Sequence, residues 1–239
     1  MLALKIRDLS KNFGNIKAVD KISFEVQEGE IFGLIGPNGA GKTTTLRMIA
    51  TLLQPTSGTI EVFGFDVLTD GAKVRELISY LPEEAGAYKN LKGIDYLRFM
   101  AGFYAKNDRE KQDITEKASV IAKLGERLND RIRNYSKGMV RKLLLARALM
   151  HNPKLVILDE PTSGLDVINS LEVRNLIIDY AKTGTTVIVS SHNMLEVEYL
   201  SNQVAFIHRG RIIESGAPSK LREKYQAQNL EQVFVQSVR

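Results

Sequence analysis

Short apolar runs, alternating apolar and polar positions and helical periodicities follow one another along the 239-residue chain. Their order predicts an α/β fold. The N-terminal stretch alternates and carries charge early, so 3–8 reads as a strand rather than a leader segment. Further strands are predicted at 22–26, 31–35, 59–62, 155–158 and 186–190, which are rich in branched aliphatic residues. The run 155–158 is apolar throughout, as fits a central strand covered on both faces. Segments 203–208 and 211–214 flank Gly210 and read as a hairpin.

Between 84 and 150 the pattern turns helical. Tyr96, Phe99, Met100 and Phe103 fall at helical spacing there and predict a packed face. Residues 84–150 are therefore expected to form a helical subdomain inserted into an α/β core, within a single domain spanning 1–239. No internal repeat is visible. The tail 226–239 fits a strand, a helix or a small dimer contact, and the pattern does not choose.

Composition removes several classes of function. There are no cysteines, which excludes disulfides and thiolate metal sites. The three histidines, His151, His192 and His208, are scattered, and no metal-ligand motif appears. No apolar run approaches the roughly 20 residues that cross a bilayer, so a cytoplasmic protein is expected unless something docks it elsewhere. The net charge of +5 is spread along the chain, which reads as a solvated surface around an anionic-ligand site rather than a nucleic-acid patch.

The strongest local chemistry is GPNGAGKTT, placed after the predicted strand 31–35 and before a predicted helix 42–53. It comprises Gly36, Pro37, Asn38, Gly39, Ala40, Gly41, Lys42, Thr43 and Thr44, and matches G-x-x-x-x-G-K-[ST]. Glycines let backbone N–H groups curl around phosphate oxygens where a Cβ would intrude. The helix directs its positive end at the same anions. Lys42 is suited to the β- and γ-phosphates and the Thr43 hydroxyl to Mg²⁺, so nucleoside triphosphate binding is predicted.

A second site follows the apolar run in LVILDEPTSGLD. Asp159 and Glu160 stand at the carboxyl end of a predicted buried strand, where ligands bind in open α/β sheets. Asp159 suits Mg²⁺, and Glu160 suits a general base that polarises the attacking water. Together the motifs predict magnesium-dependent hydrolysis by a P-loop ATPase.

The segment YSKGMVRKLLLARALMHNP runs into the acidic strand, with Ser136 placed to cap a helix. Its order and spacing resemble the signature motif of the ATP-binding cassette (ABC) family, and the resemblance extends from Leu2 to about Lys224. The other motifs stand in family order: Phe13 where an aromatic stacks on adenine, Glu83 at the Q-loop, Asp166 in the D-loop and His192 as the switch histidine. The resemblance implies a P-loop NTPase core with a mixed sheet, an N-terminal antiparallel β part and the inserted helical subdomain. It implies ATP and Mg²⁺ as cofactors, with Thr43, Asp159 and Glu83 on the metal. It also implies catalysis by Lys42, Glu160 and His192. Two cassettes, a second copy or a sister subunit, would sandwich two ATP molecules head to tail, with Ser136, Lys137, Gly138, Met139 and Asp166 contacting nucleotide in trans. Such a pair powers separate transmembrane permease subunits from the inner face of the cell membrane, and no nucleic acid is expected.

Three positions depart from the commonest family pattern. LSGGQ is here YSKGM, so Lys137 and Met139 replace glycine and glutamine. Lys137 either assists an anion site or faces solvent. The Q-loop residue is glutamate, and a carboxylate about 4 Å from a γ-phosphate charge is repelled by about 4 kcal/mol unless a cation intervenes. Glu83 is therefore expected to act as a metal-linked or water-linked ligand, with Glu84 taking its place if the register slips. YLPEEAGAY and YSKGM together resemble the export-type branch. A soluble ABC factor without a permease is the rival. Ribosome-acting members resemble two linked cassettes, and chromosome-organising members place a long coiled coil between the positions of Lys42 and Ser136. Neither feature is present. A module that has lost hydrolysis predicts a missing Lys42 or Glu160, and both are there.

Overall fold

A computed structural model describes residues 1–238. The chain begins with two long antiparallel strands, β1 (Leu2–Phe13) and β2 (Ile16–Gln27). Both run further than their alternation predicts, because a bulge carries the pairing past the break. Register shifts lie between Ile6 and Leu9, with Asp8 (φ 46°) and Lys21 (φ 50°) in left-handed backbone on the two strands. Then come β3 (Ile31–Ile35), α1 (Lys42–Ile49), β4 (Ser57–Val62), β5 (Phe65–Asp66), α2 (Gly71–Leu77) and β6 (Ile78–Leu81). Helix α1 ends before the predicted 53, since the chain turns at Thr51 (φ 60°).

The helical stretch holds α3 (Gly93–Ala101), α4 (Asp108–Ala122), short 3₁₀ turns at Gly125–Asn129 and Ile132–Asn134, and α5 (Lys137–Leu149). The remainder is β7 (Leu155–Asp159), α6 (Val167–Ala181), β8 (Thr186–Ser191), α7 (Met194–Leu200), β9 (Gln203–His208), β10 (Arg211–Gly216), α8 (Pro218–Tyr225) and α9 (Leu230–Val238). Within the tail, Leu230–Val238 forms a helix rather than a strand.

Two sheets result. An antiparallel sheet has the order β2-β1-β4-β5. The central sheet runs β10-β9-β3-β8-β7-β6, parallel from β9 to β6, with β10 antiparallel at the edge. The mixed sheet and the N-terminal antiparallel part expected from the sequence are both present. β6 was not anticipated: it has four residues, with only Ile78 and Leu81 buried, and it pairs on a single side.

Period-2 alternation sends successive side chains of the central strands to opposite layers. Val156, Leu158, Val187 and Val189 pack with Leu143 and Leu144 of α5 and with Val173 and Leu176 of α6. Leu155, Ile157 and Ile188 face the other way, onto Leu46, Met48 and Ile49 of α1 and the antiparallel-sheet residues Leu4, Ile6, Ile60 and Val62. Helix α1 is thus gripped between the two sheets, which fixes its N-terminus. A third cluster joins α7, α8 and α9 to β9 through Val197, Phe206, Leu221, Leu230 and Val233.

The aromatic face predicted in the helical stretch is only half packed. Tyr96 is buried, but Phe99 and Phe103 are exposed. Phe103 lies beyond the end of α3, where helical spacing no longer places it on the packed side. Among the described residues no helix is long and apolar enough to cross a membrane.

Candidate functional site

Strand β3 leads directly into the glycine-rich loop, and its neighbours press on the loop backbone. A Cβ on Gly36 would lie 2.1 Å from the Ile207 carbonyl oxygen. Gly41 has φ +109°, and a Cβ there would stand 2.6 Å from the Ala18 carbonyl oxygen. Only glycine satisfies both the backbone angle and the approach. Lys42 opens α1 and is buried; its Nζ donates to the carbonyl oxygens of Gly36 (2.6 Å) and Pro37 (3.3 Å). No acidic residue stands in the first turn of α1, so the positive helix end is not neutralised by its own side chains. A cavity of about 300 Å³ opens here, lined by Pro37 through Thr44 together with Ala18, Glu83 and Glu160. Glu83 lines it, whereas Glu84 does not.

Asp159 ends β7 fully buried. Its Oδ1 accepts from Ser190 Oγ (2.5 Å) and its Oδ2 from the Tyr80 hydroxyl (3.3 Å). Burial, with the Asp159 charge beside it, pushes the Tyr80 hydroxyl up to about 12, so it remains a donor. Glu160 adopts φ 48°, a left-handed conformation costing about 1–3 kcal/mol for a non-glycine residue. Its N–H donates to Ser190 O and Ser190 Oγ (both 3.2 Å), which holds the turn. The strained turn aims the Glu160 carboxylate at two nitrogen-bearing side chains: Oε1 lies 3.2 Å from Lys42 Nζ and Oε2 2.9 Å from His192 Nδ1. Lys42 and Glu160 are both buried, whereas His192, just beyond β8, is half exposed. Three separate sequence motifs thus converge on one carboxylate.

A second group forms outside that cavity. Ser136 Oγ accepts the Met139 N–H (3.2 Å) and caps α5. Asp166 caps α6, accepting the Asn169 N–H (2.9 Å) and Asn169 Nδ2 (2.6 Å), and these bonds hold its carboxyl below the usual carboxylate range. The two helix starts touch: a Cβ on Gly138 would lie 2.0 Å from Asn169 Oδ1. Gly138 is therefore required for close packing within the chain. Ser136, Lys137 and Asp166 are exposed, while Met139 is half buried against the helical core. None of these residues lines the cavity of Lys42. Phe13 does not line it either; it is half exposed at the end of β1, with Lys11 Nζ 5.2 Å from its ring centroid.

Glu83 links the two groups. Its Oε1 accepts from Ser163 Oγ (2.9 Å), and its backbone carbonyl accepts from Arg141 Nη2 (3.0 Å) of α5. Arg141 is buried, which lowers its affinity for the proton against the opposing pull of Glu83, and its Nη1 is buried without a hydrogen-bond partner. Ser190, Tyr80, Ser163 and Arg141 were not picked out from the sequence. Each bonds to its partner across 30 or more positions, so spacing along the chain does not reveal the contact.

The fold and the loop define a P-loop nucleotide-binding domain. A family model described as "ABC transporter" matches residues 19–163. The chain is 37% identical over 237 residues to the ABC transporter ATP-binding protein NatA of Bacillus subtilis (strain 168), covering 97% of this chain and 96% of that one. A solved structure of an ATP-binding subunit of an ABC transporter superposes with a TM-score of 0.86 at 26% identity, covering 99% of this chain and all of that one. A dimeric post-hydrolysis state of an ATP-binding cassette bound to ADP and Pi gives 0.79 at 23% identity, over 90% of this chain and 98% of the other. This chain belongs to the ABC transporter family, as an ATP-binding subunit.

Proposed function

We propose that this chain hydrolyses ATP at the Lys42 cavity and passes the resulting change of shape to a separate membrane permease. The observation that carries the reading is the convergence of Lys42 and His192 on Glu160 at the cavity rim. Gly36 to Thr44 cradle the phosphates through backbone N–H groups and the end of α1. Lys42 pairs with the β- and γ-phosphates. Glu160 accepts a proton from the attacking water, a role for which the strained turn presents its carboxylate. His192, hydrogen-bonded to Glu160, orients it and reaches the γ-phosphate side.

The donor set fits Mg²⁺. That ion takes one or two carboxylates plus substrate phosphates rather than an all-protein cage. No group of three metal-binding acids or histidines exists among the described residues. Asp159, pinned by Ser190 and Tyr80, and Thr43 are the residues that would hold it, and Glu83 is the third candidate. When bound, the ion supplies charge neutralisation at the β- and γ-oxygens.

Ser136, Lys137, Gly138, Met139 and Asp166 lie away from Lys42, which supports their contacting nucleotide held by a second cassette. The chain carries both halves of such a site, so a second copy completes two of them. The dimeric relative lends support to this arrangement. Residues 84–150 act as a helical subdomain. Their exposed aromatics, Tyr88, Phe99 and Phe103, stack edge to face with centroids 5.7 and 5.3 Å apart and offer an apolar surface to the permease. Docking there would hold the chain on the inner face of the cell membrane. The resemblance of YLPEEAGAY and YSKGM to the export branch supports outward transport.

Steady-state phosphate release by the purified chain, measured beside ATP binding, tests the reading. Glu160→Gln is expected to keep ATP affinity within threefold and to lose turnover by about 10²-fold or more. Turnover at the level of the unaltered protein would remove Glu160 from the role of base.

A further inference from the structure

Glu160 and His192 approach to 2.9 Å although they stand beyond the ends of two separate strands. Cα pairing between β7 and β8 reaches only Asp159 and Ser190. Past that point the Glu160 N–H still reaches Ser190, but the side chains of Glu160 and His192 gain their further support from another element.

Glu196 of α7 is placed for this. It is 5% exposed, on a helix face whose other buried members are Val197 and Leu200. One of its carboxyl oxygens meets the Thr162 hydroxyl, and the other lies 3.4 Å from Ser191 Oγ. Thr162 is two residues past Glu160, and Ser191 immediately precedes His192. Ser191 Oγ also accepts the Asn193 N–H (3.0 Å), and Asn193 Oδ1 accepts the Glu196 N–H (3.2 Å). A closed hydrogen-bonded set therefore runs from the turn carrying Glu160, through α7, to the turn carrying His192. Burying a carboxyl on an otherwise apolar helix face is costly unless its bonds are made, and these bonds go to the two loops of the site.

We propose that Glu196 is a positioning residue for hydrolysis, whose carboxyl ties the chain after Glu160 to the chain before His192 and keeps that pair in contact. The inference rests on the reading of Glu160 and His192 as the hydrolytic pair. The groups that face Glu196 are Arg174 of α6, Glu160 and His192, which share with it a cavity of about 320 Å³. Burial raises the proton affinity of Glu196, and Glu160 adds to that, while Thr162 and Arg174 oppose it. A neutral amide at this position can make the same two contacts, accepting from Thr162 and donating to Ser191.

The test compares Glu196→Ala, Glu196→Gln and Thr162→Val in the full chain. Glu196→Ala is expected to lower kcat at least tenfold while KM for ATP, and Kd for a non-hydrolysable ATP analogue, stay within twofold. Glu196→Gln is expected to restore at least half of the original kcat. Thr162→Val removes one anchor with little change of volume and should lower kcat in the same way, which keeps the test open if the alanine variant fails to fold. The proposal is overturned if Glu196→Ala or Thr162→Val retains kcat, if affinity falls in step with kcat, or if glutamine is as damaging as alanine. A Glu160→Gln control separates the two failures. If it abolishes turnover while the Glu196 variants do not, only the positioning role falls; if it does not, the reading of the site falls too.

Discussion

Single residues in this protein are constrained from several directions at once, and Gly41 shows how. Its φ of +109° and the Ala18 carbonyl 2.6 Å from any Cβ leave no relaxed conformation for alanine. Gly41→Ala is expected to cost about 1–3 kcal/mol and to weaken ATP binding at least tenfold by isothermal titration. The loop was legible in the sequence because its chemistry is local: consecutive residues supply glycines, lysine and hydroxyls. The support beneath it was not, since Ser190, Tyr80 and Glu196 reach the acidic strand end by folding rather than by spacing. Glu196 also makes a prediction about pH. Its carboxyl is held above the usual range, by burial first, so the folded state keeps a proton that the unfolded chain releases near pH 4.3. Stability from this group is present below that pH and is lost as pH rises through the folded value. Glutamine cannot ionise, so the Tm of Glu196→Gln relative to the unaltered protein should climb by a few degrees as pH rises from about 4 to about 8. A difference independent of pH would contradict the assignment.

At the scale of elements, the helix starts carry the most consequence. Helix α5 begins at Ser136 and α6 at Asp166, and Gly138 lets Asn169 lie against the first turn of α5. Loss of the Ser136 cap should cost about 1 kcal/mol, and so about 2–4 °C in Tm by calorimetry. Ser136→Ala should leave ATP binding by a single chain unchanged, because Ser136 lies outside the Lys42 cavity. Which elements could be read in advance follows from their burial. β3, β7 and β8 are buried along their whole length and announced themselves as apolar runs. β6 pairs on one side only, and its central residues are half exposed, so its four residues carried no clear period. The bulge hid the second half of β1 and the first half of β2 for a related reason: a left-handed residue on each strand, Asp8 and Lys21, resets the alternation. The periodicity around Tyr96 marked a helix correctly, but it overstated how many of its aromatics pack inward.

Across the whole molecule, the central sheet places two chemically different surfaces on one chain. One holds Lys42, Asp159, Glu160 and His192 around the phosphate loop, and the other exposes Ser136, Lys137 and Asp166 at two helix starts. On the proposed reading each surface is half of an ATP site, and the residues of the second do not line the cavity of the first within a chain. Glu83, which lines the Lys42 cavity, bonds to Arg141 of α5, so the cavity is connected by hydrogen bonds to the helical stretch that carries the exposed aromatics. The central claim, that ATP is gripped between two such chains and released by cleavage, is tested most directly by the solution mass of Glu160→Gln with and without saturating ATP. Light scattering should give the single-chain mass of 26.7 kDa without nucleotide and about twice that with ATP. ATP-saturated protein that stays at the single-chain mass would contradict it.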